Sequence, residues 1–261
     1  IIGVPMDFTV SFRPGTRFGP KKIREASYGL ESYSVYADDS LDDKSFFDAG
    51  DVDIPFGNVE KSLKIIEDIT EQCLMDNKIP LFLGGEHLVS YPIVKKVAEK
   101  YPDLTVLHFD AHADLRDSFF GEKLSHATVL RRISEYVKDK HIYHFGIRSG
   151  VKEELIYAEE HTHMFPIEVK APFLRVLKDL KGRPVYITLD IDVVDPAFAP
   201  GTGTPEPGGC SSREILEVAG YFKELDIVGF DLVEVSPAND LSERTSLLAA
   251  KILRELIIGL G

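Results

Sequence analysis

Cysteine and positive charge are both scarce in this chain of 261 residues. Cys73 and Cys210 are its only cysteines, too few for a disulfide framework or a thiolate metal site, and in keeping with a reducing cytoplasm. Lysine and arginine number 30 against 43 aspartates and glutamates, a formal net charge of −13. A surface of that sign repels phosphate, which argues against nucleic acid or an anionic membrane as partner and favours a small cation. No apolar run reaches the roughly 18 to 20 residues that cross a bilayer. Internal repeats, heptads and low-complexity tracts are missing as well. With 44% hydrophobic and 28% charged residues, the composition is that of a soluble globular protein. The length suits one α/β domain over 1–261. With so little thiol, any metal here must be held by histidine and carboxylate.

The chain opens on IIGVP, a buried-strand pattern with no basic stretch or initiator Met before it, so the domain is expected to begin upstream of residue 1. Further runs read as strands: PLFLG (80–84), LTVLHFD (104–110), IYHFGI (142–147), VYITLDID (185–192) and IVGFDLVEV (227–235). They are apolar on both faces, as parallel strands covered by helices on both sides must be. Helical periodicity is predicted over 17–29, 59–76, 88–100, 125–137, 171–180, 211–224 and 242–258, with Ser211, Ser212 and Ser242 as caps. The expected fold is a three-layer α-β-α domain around a mostly parallel sheet. Two loops dense in Pro and Gly, 11–20 and 195–209, are long enough to be functional. In such a sheet, function is expected beyond the carboxyl ends of the strands.

Those ends carry the chemistry. LTVLHF closes on Asp110, His112 and Asp114, VYITL on Asp190 and Asp192, and PLFLGG on Glu86 and His87. Residues two apart on an extended segment share a side, so each group aims at one spot. Singly, an Asp at a strand end is usually a turn former or helix cap. Four aspartates and two histidines together, all after buried runs, would repel one another without a cation. His87, Asp110, His112, Asp114, Asp190 and Asp192 are too many for one four-coordinate ion and suit two divalent ions about 3.5–4 Å apart. Carboxylate-dominated ligands favour hard ions such as Mn²⁺. The remaining histidines read differently: His108 and His144 as core, His161 and His163 as solvated. Cys210 lacks a base, and the GTGTPEPGG loop lacks the N–H donors and lysine of a phosphate cradle.

GGEH (84–87), DAHAD (110–114), SHAT (125–128), DIDVVDPAFAPGTGTPEPGG (190–209) and DLVEVSPAND (231–240) resemble, in order, the signature motifs of the ureohydrolase family, which includes arginases and agmatinases. The opening GVPMDFTVSFRPGTRFGPKKIR is similar to agmatinase N-termini. The resemblance implies one manganese on His87, Asp110, Asp114 and Asp190, and a second on Asp110, His112, Asp190 and Asp192. It implies a proton-shuttling role for His126, a guanidinium-pairing role for Glu234 with Thr204 near it, and a trimer or hexamer. Asp114 would orient the attacking water and take its proton.

The implied roles make chemical sense. A guanidinium is a poor electrophile, so a strong nucleophile is required, and two cations supply one by acidifying water. A carboxylate such as Glu234 pairs with its N–H donors and fixes the carbon. The leaving amine needs a proton, which a histidine titrating near neutrality, His126, would deliver. Segment 115–128, with Asp117, two phenylalanines and Glu122, suits a methylene chain ending in a cation, with Asp117 as a tail contact, although Arg116 or Lys123 could instead accept a carboxylate. The expectation is therefore agmatine hydrolysis to putrescine and urea. Arginase, guanidinobutyrase and formiminoglutamase chemistry are the alternatives, ahead of a non-catalytic metal protein and a nucleotide-binding doubly wound protein.

Overall fold

A computed structural model describes residues 1–260. Its strands are β1 (Ile2–Val4), β2 (Tyr33–Ser34), β3 (Asp39–Ser40), β4 (Leu81–Gly84), β5 (Thr105–Phe109), β6 (Ile142–Phe145), β7 (His163–Phe165), β8 (Pro184–Asp190) and β9 (Asp226–Val233). Its α-helices are α1 (Gly19–Ser27), α2 (Val59–Met75), α3 (Ser90–Lys100), α4 (Val129–Ile133), α5 (Lys152–His161), α6 (Lys170–Leu180), α7 (Ser212–Ala219) and α8 (Arg244–Gly259). Seven strands form one sheet in the order β1-β4-β9-β8-β5-β6-β7, with every pairing parallel. β2 and β3 make a small separate hairpin.

The sheet is buried on both faces because its strands are apolar on both. Leu107 and Phe109 of β5 join Ile187 and Leu189 of β8 in a core with α1, α6, α7 and α8. Val106 and Tyr186, of opposite parity, face a second core with α2, α3, α4 and α5. This is the expected three-layer arrangement. Phe109 anchors the first core, stacked on Phe145 at 5.0 Å and tilted against Phe173 and Phe222. Truncating a buried phenylalanine in such a setting costs about 3–5 kcal/mol.

Several local expectations change. α5 and β7 occupy 152–165, a stretch whose acidic residues obscured any periodicity. His163 lies on the edge strand and stacks on Tyr143 at 4.6 Å, so it is half-buried rather than solvated. The helix expected over 125–137 is a 3-10 turn, His126–Thr128, leading into the short α4. Ser211 does cap α7, accepting from Glu214 N. Ser242 does not cap α8: Asp240 does, with Oδ2 accepting from Thr245 N and Ser246 N, both at 3.0 Å.

The strand order puts β4, β9, β8 and β5 side by side in the middle of the sheet. Their carboxyl ends form one continuous edge, and the predicted site residues stand on it.

Candidate metal centre

The edge begins with a tight fit. At Gly85 a Cβ would meet Met6 O at 1.8 Å, so glycine is required where the chain beyond β4 passes that of β1. The next residues, Glu86 and His87, are thereby set against the end of β9, where Glu234 N donates to Gly85 O at 2.9 Å.

The aspartates converge through turns. β5 and β8 end at Phe109 and Asp190, so the ligands beyond them are not on extended backbone and strand parity is not what aligns them. Instead, Asp110 Oδ1 accepts from His112 N at 2.6 Å and Asp190 Oδ1 accepts from Asp192 N at 2.8 Å. Each of these carboxylates uses one oxygen as a turn former and keeps the other for the interior. Asp192 Oδ1 accepts from Ala111 N at 3.0 Å, tying the two strand ends together.

The inward atoms gather on one spot. His87 Nδ1 lies 3.0 Å from Asp110 Oδ2, 3.2 Å from Asp114 Oδ2 and 3.5 Å from Asp190 Oδ2, yet makes no hydrogen bond of proper geometry. His112 Nδ1 lies 3.0 Å from Asp192 Oδ2 and 3.5 Å from Asp110 Oδ1. Two groups that could hold a metal ion result, His87, His108, Asp110 and Asp114 in one and Asp110, His112 and Asp192 in the other, sharing Asp110. Lone pairs that surround a buried nitrogen without bonding it fit a cation, and the mixture of carboxylate and imidazole fits a hard or borderline divalent ion. All six expected ligands are thus brought together.

A hydrogen-bonded row one layer down orients them. Asp231, Thr188, His108 and His144 sit side by side in register on β9, β8, β5 and β6. Thr188 Oγ1 donates to Asp231 Oδ1 at 2.6 Å and lies 2.9 Å from His87 Nε2. With its proton committed, Thr188 accepts from Nε2–H, which leaves the lone pair of His87 on Nδ1, facing the aspartates. His108 Nε2 meets Asp110 Oδ2 at 2.8 Å, and its Nδ1 meets His144 Nδ1 at 2.8 Å. His108 is buried as expected, but it supports Asp110 as well as filling core space.

Electrostatics point the same way. Burial pushes the Asp114 carboxyl up to about 7, with Asp110 adding to it. Burial raises Asp190 well above the usual range, with Asp192 and Asp110 as the next causes. Burial would lower His112, but Asp192 and Asp110 outweigh it and hold it up to about 12. Acids that retain protons and imidazoles that will not release them mark an excess of buried negative charge, which a cation relieves.

A cavity of about 260 Å³ opens over the cluster, toward the small end for ligand sites. Glu234, at the end of β9, lines it; its Oε1 accepts from His87 N at 2.8 Å, and burial raises its carboxyl to about 8. Glu234 and Asp114 are both left-handed, with φ of 64° and 53°, a strain of about 1–3 kcal/mol for residues with a side chain. His126 and Thr204 share the cavity. Thr204 Oγ1 donates to Asp192 Oδ2 at 3.4 Å. Burial holds His126 down at about 4, so it rests neutral instead of titrating near neutrality.

One expected residue is elsewhere. Asp117 is 66% exposed and pairs with Arg132 at 3.0 Å, because that buried guanidinium needs a carboxylate. It is not among the residues lining the cavity. The cavity wall nearest that segment is built instead from Arg116, Phe119, Val151 and Glu154. Arg116 lies over the Phe119 ring at 4.8 Å, with its Nε 3.6 Å from Glu154 Oε2. Lys123 does not line it.

This arrangement is a family's. The model of the Arginase family matches residues 1–259. The chain belongs to the arginase family. An arginase-family relative, an agmatinase from Halalkalibacterium halodurans, is 53% identical over 99% of this chain and 91% of its own. A guanidinobutyrase from Pseudomonas aeruginosa is 37% identical, covering 98% of this chain and 84% of its own. The crystal structure of agmatine ureohydrolase of Thermoplasma volcanium superposes with a TM-score of 0.89 at 34% identity, covering 99% of this chain and 88% of that one. Sequence reasoning missed several residues of this arginase-family site, namely Glu154, the supporting role of His108, and Ser11, which reaches the cavity from the N-terminal loop. For Glu154 a signal existed: a carboxylate at the third position of a helix caps its start, and Oε2 does accept from Val151 N at 2.8 Å.

Proposed function

We propose that this arginase-family chain is a dinuclear manganese hydrolase that cleaves agmatine to putrescine and urea. His87, Asp110, Asp114 and Asp190 would hold one ion, and Asp110, His112, Asp190 and Asp192 the other. When bound, the two ions supply a strongly acidified water at neutral pH.

The chain's own residues account for the rest. Glu234 receives the guanidinium through paired N–H donors and turns its carbon toward the cage. Water adds to that carbon, and a proton from it passes by way of Asp114 to neutral His126. The bond from the carbon to the chain nitrogen then breaks, its electron pair leaving on nitrogen, and the imidazolium returns the proton to that amine. Histidine serves as a relay within the cycle, which suits a group that rests unprotonated.

A single observation carries this reading: the buried, strained Glu234 stands beside the cage in the same cavity as His126. Holding metal alone requires neither residue. On the tail side, Phe119 and Val151 offer apolar walls for methylenes. Glu154, 3.6 Å from Arg116, offsets its charge and so leaves this wall without a free cation for a carboxylate tail, which favours agmatine over 4-guanidinobutyrate or arginine. Two free cysteines suit a reducing cytoplasm. Among the described residues no helix is long and apolar enough to cross a membrane. A trimer or hexamer belongs to the same proposal and is read by sedimentation.

The test is urea release by Mn²⁺-reconstituted protein from agmatine, arginine, 4-guanidinobutyrate and formiminoglutamate, with Asp192→Ala as control. Dominant, metal-dependent turnover of agmatine is expected. Faster turnover of a carboxylate-tailed substrate would overturn the tail assignment and leave the metal chemistry standing.

A further inference from the structure

The N-terminal loop between β1 and α1 lies against the site, and the catalytic roles above give it nothing to do. Both of its ends are fixed. Asp7 Oδ2 accepts from Gly15 N at 2.9 Å, and the Asp7 carboxylate pairs with the guanidinium of Arg17. Glu86, fully buried beside His87, spends its whole carboxylate on the loop. Oε1 accepts from Phe8 N at 2.9 Å, while Oε2 accepts from Thr9 N at 2.9 Å and from the Thr9 hydroxyl.

The Thr9 hydroxyl faces two ways. Its proton goes to Glu86, so its oxygen is free to accept, and it accepts from His126 N at 3.0 Å. That amide opens the 3-10 turn His126–Thr128, where helical geometry provides no internal acceptor. The imidazole itself is held only loosely, with Nδ1 3.3 Å from Ser125 Oγ and Nε2 3.3 Å from Ser11 Oγ. The ring also meets Phe119 edge-on at 5.6 Å, and Ser125 and Thr128 close the turn on itself; the bond from the His126 amide to Thr9 is what ties that turn to the N-terminal loop.

We propose that Thr9, anchored by Glu86, is a positioning residue for His126, acting through the His126 backbone amide. Thr9 does not line the cavity and has no route to the substrate except through the histidine and the loop. The inference rests on the relay role of His126 given above. It assigns a function to Glu86, the one chemically capable residue of the GGEH motif that neither holds metal nor faces substrate.

Thr9→Val keeps the shape and removes the hydroxyl; Thr9→Ser keeps the hydroxyl. With agmatine and Mn²⁺, Thr9→Val is expected to lower kcat about tenfold with KM within about twofold, the pattern of an interaction that matters only as the amine departs. Thr9→Ser is expected to restore kcat to within about twofold of the parent. Hydrogen exchange at the His126 amide gives a reading free of activity: protected in the parent and in Thr9→Ser, fast in Thr9→Val. Residues that act as a unit are not additive, so Thr9→Val should cost nothing further in a His126→Ala background.

A Thr9→Val chain with a protected His126 amide and full kcat overturns the proposal. So does an equal loss from Thr9→Val with and without His126, while leaving the relay role intact. Full activity of His126→Ala overturns the relay role and the positioning role together.

Discussion

The two sides of the cavity are built on opposite principles. On the cage side, four adjacent strand ends present side chains that are individually tied and, His112 apart, buried; Asp110 is 0% exposed and touches His87, His108 and the His112 amide. On the tail side, the segment after Asp114 reaches outward to a two-residue hairpin tip, where Phe119 and Glu122 exchange backbone hydrogen bonds. Phe120 stands 90% exposed there. In the function proposed above, the chemistry falls to groups preorganised on the sheet and the choice of substrate to a loop that can change without disturbing them. Relatives with different named activities, an agmatinase and a guanidinobutyrase, both align across nearly the whole chain, as such a division allows.

If the cage side is preorganised, a change of one atom there should be severe. Glu234→Gln retains the size and loses the charge that meets the guanidinium, and kcat/KM for agmatine is expected to fall by about 10². A loss smaller than tenfold would mean that the guanidinium is held by something else.

On the tail side, Phe119→Ala should raise KM for agmatine several-fold with kcat largely kept, the signature of lost uniform binding. Asp117→Asn should leave both constants nearly unchanged, since Asp117 stands outside the cavity; its cost falls on stability, about 1 kcal/mol, because the buried Arg132 keeps Glu135 as a second carboxylate at 2.9 Å. Equal effects at the two positions would erase the contrast between lining and rim.

A further effect is one of stability and pH. Burial, and then neighbouring carboxylates, raise Asp114 to about 7 and lift Asp190, and burial raises Glu234 to about 8. Each folded pKa lies above its unfolded value near 4, so the folded chain holds extra protons. The stability they contribute is complete below about pH 4 and is lost as pH rises through 7 to 8. Below about pH 6.5 the histidines that burial lowers, His126, His108 and His144, gain stability with rising pH and offset this loss, so chelator-treated protein should melt at progressively lower temperature from about pH 6.5 to 8. Mn²⁺ replaces those protons and should raise the melting temperature more at pH 8 than at pH 5.5. A ligand at a hundred times its Kd adds about 2.7 kcal/mol. A gain independent of pH would place the cation outside the cage.

The same contrast governs how much could be read from the sequence. Buried parallel strands are continuous apolar runs, so β4, β5, β6, β8 and β9 were legible, and the six candidate ligands follow those runs at short spacing. Asp110 and Asp190 were legible even though the parity argument for them was wrong, because both a turn former and a ligand favour aspartate after a strand. β7, three residues at the sheet edge, and α5, whose acidic residues mask its one buried stripe, left no comparable trace. Asp117 was misplaced because sequence order gives the loop's composition but not which side chain turns inward. The partnership of Glu86, Thr9 and His126 spans 77 and 117 residues and carries no local mark.

Those separations bear on how the molecule comes into being. The bonds that complete the site join residues 77 to 147 positions apart, whereas its helices close over a few. Long loops pay their closure entropy before any contact rewards it, and parallel sheets of this kind fold slowly for the same reason. Catalytic competence is thus expected to be the latest-forming property of the chain: in refolding followed by circular dichroism and urea release, helical content should return before turnover, which waits for the N-terminal loop to meet Glu86 and His126.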